Sequence, residues 1–137
     1  MAMTIRKATS DDQPQIDTLA RKLGLDYEGM DEDAFWLAEA EGRIVGIVGL
    51  KKHADCHELC ALGVDPSFRN KGLGRDLVQA LLRSADRDIY LATIIPSFFK
   101  ACGFEKASPV PQSMNKGPEW CEGCNRELCT IMIRKIQ

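Results

Sequence analysis

No segment of this 137-residue chain is apolar for long enough to cross a bilayer. The longest uninterrupted run of apolar residues and glycine, residues 44–50, has seven members, where a spanning helix needs about twenty. Residues 1–10 lack both an apolar h-region and a small-residue cleavage site, so no secretory signal is read there. Excess charge of either sign is missing too: 18 Lys and Arg stand against 20 Asp and Glu, a net −2. A protein whose main partner is a nucleic-acid backbone needs clustered, unneutralised cations, and that class is set aside. Internal repeats, low-complexity tracts and linkers are absent as well. The expectation is one soluble, cytoplasmic domain over residues 1–137, with neither membrane nor nucleic acid as partner.

What the chain has is a succession of short apolar runs punctuated by turn signals. Residues 4–8 are β-prone. Ser10, Asp11 or Asp12 then caps a helix with Pro14 in its first turn. Ile16, Leu19, Ala20 and Leu23 follow at i, i+3, i+4 and i+7, and Gly24 ends that stripe. The acidic stretch 26–33 has room for a short second helix. Two apolar runs, residues 34–40 and 43–50, flank Glu41-Gly42 and read as a hairpin. A third strand, 56–64, stops at Asp65-Pro66, because proline cannot donate to a ladder. Residues 72–86 read as a helix with Leu73, Leu77 and Leu81 inward. Residues 89–93 are a strand and 96–103 a short helix; 104–107 and 128–136 are the last strands. The order β-α-(α)-β-β-β-α-β-α-β-β predicts an α/β (α+β) domain around one central sheet.

The segment Val64-Asp-Pro-Ser-Phe-Arg69-Asn70-Lys71-Gly72-Leu73-Gly74-Arg75 joins a strand to a helix through a basic, glycine-containing turn. Unpaired N–H groups of such a turn and of the helix start converge on one concavity, which attracts an anion, most often phosphate. The dinucleotide fingerprint fails because Leu77 stands where its third small residue belongs, and no GxxxxGK[ST] loop occurs. Arg69-x-x-Gly72-x-Gly74 after Leu62-Gly-Val64-Asp-Pro, with Phe98-Phe99-Lys-Ala-Cys-Gly103-Phe104 downstream, resembles the two motifs of the GNAT superfamily of N-acetyltransferases. The resemblance spans about residues 3–136. It implies a central mixed, mostly antiparallel sheet flanked by helices, and acetyl-CoA as co-substrate. It also implies that Leu62 and Val64 offer backbone groups to the pantetheine arm and that residues 69–75 cradle the pyrophosphate. Phe99 would pack near the cofactor arm; Phe98 fits that role or core packing equally.

Acetyl transfer needs a neutral amine. A lysine-like amine is neutral at pH 7 about once in 2,500 molecules, an α-amine about once in seven, so a general base matters most for the former. Glu58 is the candidate base, six residues before Val64, where the resemblance to the histone acetyltransferase branch places one. Period-2 alternation would set it on one face with Cys56, Cys60, Leu62 and Val64. Phe99 occupies the position at which the family often has a tyrosine as acid to the leaving thiolate. The thiolate then leaves unassisted, or Ser97, Thr93 or a water serves. Phe99, Glu58-Leu-Cys-Ala-Leu-Gly-Val-Asp-Pro and Leu91-Ala-Thr93 resemble the N-acetylglutamate synthase branch. That likeness favours a small amine acceptor such as glutamate. Asp26, Glu28, Asp31, Glu32 and Asp33 favour a cationic amine if they border the acceptor, and are a solvated face if they do not. A non-catalytic acyl-CoA-binding metal or redox sensor and a protein N-terminal acetyltransferase are the alternatives; a homodimer stays open.

Six cysteines remain. Cys121-x2-Cys124-x4-Cys129 supplies three of the four thiolates a structural zinc needs, with Cys102, Cys56 or Cys60 as a fourth. A single CxxC is half a zinc site, so no metal is assigned; a redox pair or plain reduced thiols fit the same spacing. His53 and His57 bracket Cys56 at a strand start, where an exposed imidazole and a His53-x-x-Cys56 ligand pair are both open.

Overall fold

Two residues with left-handed backbone make the first hairpin. Glu41 and Gly42 have φ of 52° and 78°, the mirror-image turn whose twist matches that of paired strands. It joins β2 (Ala34–Ala40) to β3 (Arg43–Lys52), and β1 (Met3–Lys7) lies antiparallel on the other side of β2. The computed structural model describes residues 3–69, 72–114 and 130–136. Within these, β4 (His57–Val64), β5 (Ile89–Thr93), β6 (Glu105–Lys106) and β7 (Thr130–Arg134) complete a seven-stranded sheet in the order β1-β2-β3-β4-β5-β7-β6. β4 runs parallel to β5, and β5–β7 and β6–β7 are antiparallel. The mixed, mostly antiparallel sheet with helices is the fold expected.

The chain forms two compact units, Met1–Lys51 with Leu59–Ser84, and Lys52–Glu58 with Ala85–Gln137. In the first, α1 (Gln13–Leu23) buries Ile16, Leu19 and Ala20 in a cluster with Phe35, Leu37, Ile44 and Ile47. Each fully buried Ile or Leu contributes about 1.5–3 kcal/mol of transfer free energy. α2 (Leu73–Arg83) buries Leu73, Leu77, Val78 and Leu81 on one face. A glycine makes room for it: a Cβ at Gly46 would lie 3.0 Å from the Leu77 Cδ1. In the second unit, α3 (Pro96–Ala101) follows β5, and Ala107 N–H bonds to the Ile131 carbonyl at 2.9 Å beside the short β6.

Several element ends differ from the sequence expectation for local reasons. Residues 26–33 hold a single 3-10 turn, Met30–Glu32, rather than a helix. Ser10–Asp12 likewise form a 3-10 turn before α1. There the Asp12 carboxylate accepts the Thr9 N–H at 2.7 Å and the Arg6 guanidinium at 2.8 and 2.9 Å. That guanidinium, then the Thr9 N–H, hold the Asp12 carboxyl well below the usual carboxylate range. α2 stops at Arg83, where the Ser84 N–H turns back to the Leu81 carbonyl at 3.1 Å. Among the described residues, no helix is long and apolar enough to cross a membrane.

Candidate active site

β4 and β5 share only two register pairs, His57 with Ile89 and Glu58 with Tyr90. Residues 59–64 continue β4 within the first unit. Leu62 and Val64, on that stretch, are half-buried. The strand ends in a braced corner. The Asp65 N–H donates to the Val45 carbonyl at 2.7 Å, and its carboxylate accepts the Ser67 N–H at 2.9 Å and the Lys22 Nζ at 3.0 Å. The Ser67 N–H and then Lys22 lower the Asp65 pKa. A 3-10 turn, Pro66–Phe68, follows, with Phe68 buried. Arg69 folds back so that its Nε donates to the Val64 carbonyl at 3.1 Å.

Gly72 then opens α2 with φ of 79°, a conformation that costs an L-residue about 1–2 kcal/mol. Space is open around it: a Cβ there would meet nothing within 4 Å. Leu73 is buried, Gly74 half-buried and Arg75 exposed, and the first N–H groups of any helix lack intrahelical acceptors. Asn70 and Lys71 lie outside the described residues.

The expected alternation along β4 fails at Ala61. Its φ of 51° is left-handed, which marks a bulge. Cys60 Sγ lies 3.4 Å from the Tyr27 hydroxyl, and the next residue, Ala61, packs on the same α1 cluster that includes Tyr27. Two consecutive residues therefore turn to one side, and Leu62 and Val64 do not continue the face that Cys60 begins. This corrects the single face expected for Cys56, Glu58, Cys60, Leu62 and Val64.

In the second unit, Glu58 is buried and its Oε1 lies 2.7 Å from His53 Nε2. A tight turn brings them together, closed by the His53 N–H on the Cys56 carbonyl at 2.8 Å. This imidazole is the residue that sequence reasoning missed, having weighed it only as exposed or as a metal ligand. A five-residue separation across the β3–β4 turn was the available signal. His57 is buried too, and burial, then Arg87 and Lys52, lower its pKa.

Thr93 is buried, and its Oγ1 accepts the Ile95 N–H at 2.9 Å just before α3. Phe99 is 5% exposed and stands edge-on to Phe98 and Phe104, with ring centroids 4.9 and 5.8 Å apart. Phe98 is half-buried and Ser97 exposed. Of the acidic stretch, Asp26, Glu28, Asp31 and Glu32 are exposed, while Asp33 accepts the Tyr27 hydroxyl at 2.6 Å. Burial, then Cys60 and Asp33, raise the Tyr27 phenol. Cys121, Cys124 and Cys129 lie outside the described residues, and no group of three metal-ligating side chains occurs among the described ones.

The family model described as the acetyltransferase (GNAT) family matches residues 3–104. N-acetylaspartate synthetase from Rattus norvegicus is 35% identical over 63 residues, covering 44% of this chain and 21% of that one. The fold is similar to that of N-acetylglutamate synthase from Neisseria gonorrhoeae complexed with coenzyme A and N-acetyl-glutamate. The TM-score is 0.77 at 22% identity, covering 100% of this chain and 36% of that chain. Rv2747 from Mycobacterium tuberculosis, in complex with CoA and NLQ, is similar over nearly its whole length. Its TM-score is 0.72 at 21% identity, covering 98% of this chain and 99% of that one. The chain thus spans about a fifth of the length of the synthetase and about a third of the synthase chain.

Proposed function

The chain belongs to the acetyltransferase (GNAT) family, and on that premise we propose that it transfers the acetyl group of acetyl-CoA to the α-amine of a small amino acid. The observation that carries this reading is the β4–α2 connection: a strand with only two register pairs on β5, a braced corner and an open helix start at Gly72. The residues present fit coenzyme A. Leu62 and Val64 would hold the pantetheine amides by backbone bonds, as an added strand is held. The turn from Arg69 through Asn70, Lys71, Gly72, Leu73, Gly74 and Arg75 would hold the pyrophosphate by N–H groups and cations. The acetyl thioester supplies the activated carbonyl. A backbone N–H near Val64 would polarise that carbonyl, and Glu58 would remove a proton from the amine.

Phe99 cannot donate a proton; its buried ring stands edge-on to Phe104 and would pack near the cofactor arm. Thiols ionise near pH 8.5, about where a thiolate leaves without a protein acid; Thr93, Ser97 or a water are the remaining donors. An amino-acid acceptor is supported by the names of two similar proteins, for N-acetylaspartate and N-acetylglutamate. The exposure of Asp26, Glu28, Asp31 and Glu32 supports their reading as a solvated face, which leaves glutamate and aspartate as the first acceptors to try.

The test is release of CoA thiol from acetyl-CoA against glutamate, aspartate, neutral amino acids, polyamines and an N-terminal peptide. Amino-acid-dependent release above the no-amine control is expected, and Glu58→Gln should lower kcat about a hundredfold with acetyl-CoA affinity unchanged. Tight acetyl-CoA binding with no turnover on any amine would overturn the reading.

A further inference from the structure

Glu58 does not stand alone. Its Oε1 is 2.7 Å from His53 Nε2, and the two side chains are 7% and 17% exposed. A hydrogen bond that short between shielded groups is worth more than the same bond in water. The turn that carries the imidazole is closed by the His53 N–H on the Cys56 carbonyl, and the Asp55 carboxylate accepts the Ser113 N–H at 3.1 Å. Such a pair sets the rotamer of the carboxylate, and the charge of the imidazole sets how strong a base that carboxylate is.

We propose that His53 is the positioning residue for Glu58: neutral and protonated on Nε2, it holds Oε1 and aims the carboxylate at the amine. This rests on Glu58 as the base. A carboxylate has about four lone-pair positions, so one bond at Oε1 leaves it able to take a proton. The acceptor R–NH3⁺ loses two protons on becoming the amide. One ends on the departing CoA thiolate and one reaches solvent, and Glu58 is the first carrier. His53 keeps its own proton throughout. A second proton on the imidazole turns the hydrogen bond into an ion pair, and turnover falls. Among the described residues, Arg87, Lys52, Asp86 and His53 act on His57, Asp55 and Cys56 lie in the turn between His53 and Glu58, and Tyr90 on β5 stands in register with Glu58.

The experiment compares wild type, His53→Gln, His53→Ala and Glu58→Gln from about pH 5.5 to 8.5, the range in which histidines in general can change charge. The amine is the best acceptor of the panel above, and each variant's fold is checked by thermal unfolding. Glutamine keeps an N–H donor for Oε1 and cannot gain a proton. His53→Gln should lie within about threefold of wild type at the alkaline end, and its kcat relative to wild type should rise as the pH falls; the ratio cancels the titration of the amine. His53→Ala should lower kcat about tenfold with KM for acetyl-CoA unchanged. Long-range proton–nitrogen NMR of the wild type should show the Nε2-protonated neutral tautomer. A pH-independent His53→Gln ratio, or the Nδ1-protonated tautomer, would overturn the inference. If Glu58→Gln turns over like wild type, it is the assignment of Glu58 as base that fails. If Glu58→Gln is slow while both His53 variants match wild type, only the role of His53 falls.

Discussion

At the scale of single residues, the contrast between Glu58 and His53 shows where sequence stops. Glu58 was proposed from a resemblance, the offset from Val64 at which the histone acetyltransferase branch places its base, and that offset lies within one strand. His53 joined it only when a turn folded, and a turn's closure depends on main-chain bonds such as His53 N–H to Cys56 that carry no residue signature. Asp12 teaches the same point. Its place before a helix suggested a cap, yet its carboxylate grips Arg6 from β1 as well as the Thr9 N–H. Because the folded-state pKa of Asp12 is depressed, its contribution is complete above the unfolded value of about 3.9 and is lost as the pH falls below it. Asp12→Asn should cost about 1 kcal/mol at neutral pH. The gap between variant and wild type in denaturant unfolding should narrow toward acid pH; a gap that is constant with pH would contradict the ion-pair origin.

At the scale of elements, the hydrophobic period placed β2 and β5 as observed and missed the rest by a few residues. Helix periodicity found α1 and α2 because each buries one stripe. It overran the end of α2, where the Ser84 N–H closes the last turn and no glycine marks the stop. The bulge in β4 was illegible for a different reason. Alternation arguments assume an unbroken pleat, and alanine at position 61 gives no sign of a left-handed φ. A β-branched residue tolerates that conformation poorly, so Ala61→Val should lower stability by about 1–3 kcal/mol. Ala61→Gly should be close to neutral, since relief of strain is offset by lost backbone entropy. Urea unfolding of the pair checks both, and equal effects of valine and glycine would argue against the bulge.

At the scale of the whole molecule, a ligand that binds only the folded chain must raise its stability by mass action. Acetyl-CoA at a hundredfold excess over its Kd should add about 2.7 kcal/mol. Gly72→Val, which disturbs the left-handed start of α2, should reduce the increment at the same concentration. Thermal unfolding over a titration of acetyl-CoA measures both; an equal rise in the variant would remove the turn from the binding surface. The fold itself was legible because motif, element order and composition agreed. The segment with Cys121, Cys124 and Cys129 was never legible beyond its spacing, since an incomplete ligand set fits a metal, a redox pair or free thiols alike.

The close approach of α2 to Gly46 has a consequence for how substitutions at the two positions combine. A methyl at position 46 would meet the Leu77 Cδ1 at 3.0 Å, so Gly46→Ala requires that side chain to give by a few tenths of an ångström. Leu77→Val withdraws that methyl and by itself opens a gap in the core, so each change is harmful alone and the double variant should recover part of the loss. Denaturant unfolding of the two single variants and the double variant should therefore give non-additive losses.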